Sequence, residues 1–421
     1  MKWVIYNALF GVVYPFLLPG FLLRMARRGG YRARMGDRFA LYPQELLRKL
    51  KACDNWVWIH AVSVGEVQIA GQLMREWRSQ DAGVRFCFST TSSTGWKMAE
   101  KEVKENDVLI YNPLDFPSWV KSALKIVRPK AIVLTESELW PNFIMQAKKY
   151  GIKLYLVNAR VSDRSAPRYR KAKWFFGDVL NAFTKIFAQS TLDKNRLTDA
   201  GCAAEKVEVT GSFKFDVARR NEAKEKELGD WAGEGRILLG GSTWPGEDEV
   251  LLRIYRKLLD RGDKVKLVIA PRHFEKADQV EENIRKAGFT CARRSKGTEG
   301  EVYLADTTGE LMGLYGIAEV VFVGKSLCEH GSQNMIEPCH CGKATLVGPY
   351  TENFRPVMSD LKEGEGILQV ADEAELEREI LRLFADPASS QALGGRAREA
   401  VARRRGVVPK VVAEIRKETE A

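Results

Sequence analysis

From residue 51 onward, short and almost wholly apolar runs alternate with stretches in which apolar positions recur every three or four residues. Runs of the first kind, about four to eight residues rich in β-branched and aromatic side chains, read as buried strands, and the second kind as amphipathic helices. VWIH (57–60), VRFCFST (84–90), DVLIY (107–111), KAIVLTE (130–136), KLYLVNA (153–159) and KIFAQS (185–190) predict one series of strands. A charged, weakly apolar stretch at 217–234 interrupts it. RILLGG (236–241), KVKLVIAP (264–271), EVYLAD (301–306), EVVFVG (319–324) and ATLVG (344–348) predict a second series. Strands alternating with helices imply parallel sheets with crossover connections, so the expected fold is α/β, with Rossmann-like doubly wound domains over 51–216 and 217–388. The carboxyl ends of both sheets are expected to face a central cleft, the place where open α/β sheets bind ligands. The tail, 389–421, is basic and helical in pattern and is expected to form a C-terminal helix. No internal repeat points to a solenoid.

The first 50 residues follow another pattern. From Trp3 to Leu23 no side chain is charged, and a helix of that length reaches roughly 30 Å, close to a bilayer core. Pro15 and Pro19 would kink it, and Asn7, Tyr6 and Tyr14 suit an interface, so a single span and an interfacial helix are both open. The basic residues Lys2, Arg24, Arg27, Arg28, Arg32, Arg34 and Arg38 stand against Asp37 alone up to Ala40. Such a cluster stays on the cytoplasmic side, beside anionic headgroups. The segment 1–50 is therefore expected to associate with the cytoplasmic face of a membrane. The alternative is a docked amphipathic helix of the first domain.

Composition narrows the class. A chain of 421 residues with 45% hydrophobic and 29% charged residues has ample core and is neither disordered nor a multi-span membrane protein. The net charge of +11 attracts anions, whether nucleic acid, acidic lipid or phosphorylated metabolites. No nucleic-acid-binding motif is present and the basic residues are dispersed, so nucleic acid is not expected as a partner. Seven scattered cysteines suit a reducing compartment.

Candidate chemistry lies in the loops after the strands. In HAVSVGE (60–66), Glu66 falls in the first turn of a helix, where it serves either as a reactive carboxylate or only as a complement to the helix dipole. TESELWPN (135–142) places Glu136 and Glu138 in one loop, as functional groups or as N-terminal caps. GSFKFD (211–216) sets Lys214 between two phenylalanines, able to meet an anion or to rest on apolar neighbours. GGSTWPGE (240–247) is a Gly-rich turn able to offer amides to an anion, though not a P-loop. In APRHFEK (270–276), Arg272 can grip a phosphate with its planar fork. KSLCEHGSQNMIEP (325–338) leads through Gly331 into a helix near Asn334 and carries Glu337. Cys328, His330, Cys339, His340 and Cys341 fit no standard zinc spacing, and no metal is expected.

Taken in order, HAVSVGE, TESELWPN, NARVSDRS (158–165), VTGSFKFD (209–216), APRH (270–273), DTTGELMGLYGIA (306–318) and VFVGKSL (321–327) resemble the Kdo transferase family, over nearly the whole chain. That family attaches 3-deoxy-D-manno-octulosonic acid (Kdo) to the lipid A precursor of Gram-negative bacteria. The resemblance implies a two-Rossmann, GT-B type glycosyltransferase with an inverting, metal-independent reaction and CMP-Kdo as donor. It implies Glu66 as the catalytic base and Glu136 and Lys214 as supports of the transition state. It further implies that CMP is held by Pro271 and Arg272, by Thr308, Gly309 and Glu310, and by Asn334, Met335, Ile336 and Glu337. The expected partners are CMP-Kdo, the lipid A precursor and anionic lipids of the inner membrane.

The chain departs from the family where Gly-Gly-His-Asn is customary. It has Gly331, Ser332, Gln333 and Asn334, and Lys325 replaces a customary Gly. A transferase using another nucleotide sugar or lipid acceptor is the alternative this loop favours, and a non-catalytic surface-binding protein is the alternative from charge alone.

Overall fold

A computed structural model of the chain describes residues 2–8, 10–12, 16, 20, 32–217, 220, 222–233 and 235–420. The chain divides into two compact units, 1–213 together with 406–421, and 214–405.

The first unit is built on seven parallel strands: β1 (Trp56–His60), β2 (Phe86–Thr90), β3 (Val108–Tyr111), β4 (Pro129–Thr135), β5 (Lys153–Ala159), β6 (Lys185–Ala188) and β7 (Val207–Val209). Their order is β3-β2-β1-β4-β5-β6-β7. The strands are apolar at nearly every position because helices cover both faces. In β1, Val57 and Ile59 enter one core while Trp56 and Trp58 enter the other. Strand order reverses between β1 and β4, and the loops leaving their carboxyl ends meet there.

The second unit repeats the plan with β8 (Arg236–Thr243), β9 (Val265–Pro271), β10 (Cys291–Arg293), β11 (Val302–Leu304), β12 (Val320–Val323), β13 (Ala344–Val347) and β14 (Leu368–Gln369). The order is β10-β11-β9-β8-β12-β13-β14, again all parallel, and the reversal falls between β8 and β12. Every strand anticipated from the pattern is present, and the short β7, β10 and β14 are added.

The tail departs from the single helix expected over 389–421. The Pro387–Arg403 helix belongs to the second unit, and the chain then turns at Gly406 (φ +84°), which glycine adopts without strain. The Val407–Glu420 helix returns to the first unit. Its Val408, Val411, Val412 and Ile415 pack with Val57, Ile59, Val133 and Tyr155 of the sheet. The division at 213/214 likewise lies three residues before the expected 216/217.

Of the apolar N-terminal run, residues 2–8, 10–12, 16 and 20 are helical, while 9, 13–15, 17–19 and 21–23 lie outside the described residues, as do Arg24, Arg27 and Arg28. Among the described residues no helix is long and apolar enough to cross a membrane. Trp3 and Tyr6 pack on Phe175 at 5.1 and 5.4 Å, and Val4, Ile5, Val12 and Phe16 remain exposed. Two members of the expected basic cluster are structural instead. Arg34 pairs with Asp37 at 2.9 Å. Arg38 is buried, lies 4.6 Å over the Tyr111 ring and donates to the Thr91 carbonyl, so it is not exposed to headgroups.

Candidate active site

At the end of β1, Ser63 caps the Val64–Gln80 helix. Its hydroxyl accepts from the Glu66 amide at 3.2 Å and donates to Glu66 Oε1 at 2.8 Å, so the cap and the first-turn carboxylate hold each other. Glu66 Oε2 accepts from the Val62 amide at 3.1 Å and lies 3.0 Å from Thr135 Oγ1 at the end of β4. Capping and chemistry are thus not alternatives for Glu66, because the capping bonds hold its carboxylate, 8% exposed, at the strand ends.

Capping does not explain Glu136 and Glu138. The Pro141–Lys149 helix begins at Trp140 without a side-chain cap, and its first amides, Asn142 and Phe143, are taken by Asp115 at 3.0 and 2.8 Å. Asp115 escapes sequence reasoning, since nothing local marks a cap 27 and 28 residues upstream of the amides it takes. Glu136 sits at φ +51° and Asn158, at the end of β5, at φ +53°. Asn158 Nδ2 donates to Glu136 Oε1 at 3.3 Å, and Asn158 Oδ1 accepts from the Phe213 amide at 3.0 Å. Glu138 is pushed up to about 7 by burial and by repulsion from Glu66 and Glu136, against a hydrogen bond from Trp140 Nε1 at 3.1 Å.

Lys214 opens the second unit. The flanking phenylalanines are both buried, Phe213 in the core of the first unit and Phe215 in that of the second, and Lys214 Nζ lies 4.7 Å over the Phe354 ring.

A cavity of about 160 Å³ at the ends of β8, β9 and β11 is lined by Ser242, Pro271, Arg272, Thr308, Gly309 and Glu310, among others. Five residues expected to hold the nucleotide therefore share one wall. Their roles differ, however. Burial raises the Glu310 carboxyl, but hydrogen bonds from Lys224, Thr307 and Arg294 outweigh it and bring the group down to about 2, so Glu310 is an ionic strut of the wall. Asn334 Nδ2 donates to Glu337 Oε1 at 3.0 Å. Burial raises Glu337, while that bond and the charge of Arg272 lower it, which ties the loop after β12 to the loop after β9. The side chains of Met335 and Ile336 are fully buried in the core, which leaves their backbone for the expected contact with a ligand. The helix there is short, Ile336–His340, so apolar anchors are needed to hold it.

The Gly-rich turn GGSTWPGE has a different use from that expected. Glu247 is fully buried and accepts from the amides of Trp244 (2.8 Å), Lys325 (2.8 Å), Ser326 (3.0 Å) and Leu327 (3.1 Å). The protein's own carboxylate occupies these amides. Gly324 permits the approach, since a Cβ there would lie 2.3 Å from the Ser242 carbonyl oxygen. Lys325 and Ser332, in the departing loop, take φ +56° and +62°, and Lys325 Nζ lies 4.8 Å over the Trp244 ring. The Gln333 amide donates to the Gly324 carbonyl at 3.1 Å. Among the described residues eight non-glycines have positive φ, and five of them (Glu136, Asn158, Ser242, Lys325 and Ser332) lie at or just after these strand ends. Such strain persists where surrounding structure holds it and clusters at functional sites. Cys339 and Cys341 are buried, and His330 pairs with Glu352 at the surface.

Residues 33–217 match the family model described as 3-deoxy-D-manno-octulosonic-acid transferase (kdotransferase). The chain is 31% identical to the 3-deoxy-D-manno-octulosonic acid transferase of Haemophilus influenzae, over 97% of this chain and 96% of that one. It is 32% identical to that of Bordetella pertussis, over 92% and 94%. In fold it resembles a glycosyltransferase from Rickettsia africae (TM-score 0.59, 15% identity, 87% of this chain and 98% of that one). It also resembles Anabaena HepE in complex with UDP (TM-score 0.60, 13% identity, 86% and 100%). The chain is a glycosyltransferase with two parallel-sheet units of the GT-B kind, and it belongs to the 3-deoxy-D-manno-octulosonic acid transferase family.

Proposed function

We propose that the enzyme transfers Kdo from CMP-Kdo to a primary hydroxyl of the lipid A precursor, with inversion. The observation that carries this reading is the Glu66 carboxylate, held at the strand ends by Val62, Ser63 and Thr135 in a chain of this family. In the proposed step the acceptor oxygen bonds to the anomeric carbon as the bond from that carbon to the phosphate oxygen breaks. CMP departs with the electron pair, and the acceptor's proton passes to Glu66. General-base help is worth about 10² to 10⁴ in rate, and positioning supplies much of the rest. Arg272, in the wall of the 160 Å³ cavity, is assigned to the CMP phosphate, and Lys214 to the charge developing on it. Glu136, fixed by Asn158, is assigned to support of the transition state.

We further infer that the protein works at the cytoplasmic face of the inner membrane, with the N-terminal segment against anionic lipid. The net charge of +11 and the exposed Val4, Ile5, Val12, Phe16 and Trp174 support this. One assay tests both statements. Purified protein is given CMP-Kdo generated in situ and a tetraacylated lipid A precursor, in mild detergent and then on anionic or zwitterionic vesicles, with products resolved by mass. The expected result is addition of one or more Kdo residues, faster on anionic vesicles. Transfer from another nucleotide sugar with none from CMP-Kdo would sink the donor assignment, and equal rates on both vesicles the membrane one.

A further inference from the structure

The carboxylate cluster at the ends of β1 and β4 contains a histidine that this chemistry leaves unused. His60, the last residue of β1, is fully buried, with Nδ1 2.9 Å from Ser89 Oγ and 3.2 Å from the Ser89 carbonyl oxygen. Trp58 Nε1 donates to Ser89 Oγ at 2.8 Å, and the Ser89 hydroxyl has Asn112 Oδ1 to donate to at 3.3 Å. The network therefore assigns the proton to His60 Nδ1 and leaves Nε2 as a bare acceptor. Burial lowers His60 to about 4, so the ring is neutral near pH 7. Nε2 has no hydrogen-bond partner among the described residues, and it faces Glu138 Oε2 at 4.0 Å.

A bare acceptor opposite an ionised carboxylate gains nothing and leaves a buried nitrogen unsatisfied. Opposite a carboxylic acid it receives a hydrogen bond after a movement of about 1 Å. The surroundings of Glu138 point the same way. Glu66 on the Val64–Gln80 helix and Glu136 in the same loop repel its charge, His60 of β1 is neutral, and Tyr169 of the Ala166–Lys171 helix is raised by its own burial and then by Glu138. Glu66 accepts from three donor groups and Glu138 from Trp140. The two carboxyls thus differ in the donors they face.

We propose that Glu138, backed by His60 Nε2, is a positioning carboxyl that works in its protonated form, donating a hydrogen bond within the cluster and leaving Glu66 as the carboxylate that takes the acceptor's proton. This rests on the transfer reading given above. Above neutral pH Glu138 ionises, adding a negative charge beside Glu66 and against an anionic acceptor, and the rate falls.

The test is the pH profile of kcat/KM from pH 5.5 to 9 for the wild type, Glu138→Gln and Glu138→Ala, with thermal unfolding midpoints at each pH. The wild type is expected to lose rate on the alkaline side with an apparent pKa of about 7. Glu138→Gln, a permanent donor, is expected to stay within about threefold of the wild type at pH 6 and to lose the alkaline fall, whereas Glu138→Ala drops about tenfold or more. Because the folded-state pKa of Glu138 is raised, its contribution to wild-type stability is lost as pH rises through about 7. The midpoint advantage of Glu138→Gln should therefore grow from pH 5.5 to 8.5. An unchanged alkaline fall in Glu138→Gln, or a folded but inactive Glu138→Gln, overturns the proposal. If no form transfers Kdo yet the midpoint difference grows with pH, the protonation state stands and the transfer reading fails; a flat difference overturns the proposal whatever the turnover.

Discussion

Glu247 shows how far a single residue can depart from the obvious reading of its motif. A Gly-rich turn before a helix invites an anion from outside, but here the anion is the protein's own carboxylate, bonded to four backbone amides across two loops. Glu247→Gln replaces one acceptor oxygen by an NH₂ group and leaves buried amides facing a donor. We expect it to cost about 2–4 kcal/mol, read by denaturant unfolding, and to weaken CMP binding because the 325–327 loop loses its anchor. A loss below about 0.5 kcal/mol would mean that the loop holds without it. Periodicity made the positions of Glu66 and Arg272 legible, because it locates strand-end loops, whereas Lys214 stood out only as a lone cation between Phe213 and Phe215. The sequence could not show which carboxylates cap helices. Asp115 takes the Asn142 and Phe143 amides from 27 and 28 residues upstream, and Arg38, read as lipid-facing, lies against Tyr111. Both facts depend on contacts remote in the chain.

At the scale of elements, strands covered on both faces declare themselves, since nearly every position must be apolar, as in VVFV and in β1 up to its terminal His60. The three strands the pattern does not mark, β7, β10 and β14, are edge strands of two or three residues, with little burial to impose a pattern. Helical periodicity in the tail was legible, but not which unit it serves. The answer lies in the apolar stripe of Val408, Val411, Val412 and Ile415, which completes the core beside β1, β4 and β5. The Tyr155 hydroxyl donates to Glu418 at 2.9 Å and Lys410 pairs with Glu208 at 2.6 Å, so the docking is also polar. Ile415→Ala empties a fully buried site and is expected to cost about 2–5 kcal/mol in denaturant unfolding. A cost under about 1 kcal/mol would show the helix to be loosely held and the tail dispensable to the first unit.

For the whole molecule, length and composition implied two cores, and two parallel sheets of seven strands are found, each with one reversal of strand order. Net charge was less informative, since it does not tell which basic residues are tied to carboxylates within the fold: Arg34 to Asp37, Arg236 to Glu319, and Arg293 to Asp306 and Glu281. What connects the molecule to its chemistry is the claim that Glu66 is the base of Kdo transfer. Single-turnover transfer from CMP-Kdo to the lipid A precursor by the wild type and Glu66→Gln, with CMP affinity measured on the same preparations, tests that claim most directly. The account predicts a loss of about 10² to 10⁴ in the rate of transfer, with CMP affinity unchanged. Transfer by Glu66→Gln at the wild-type rate would contradict it.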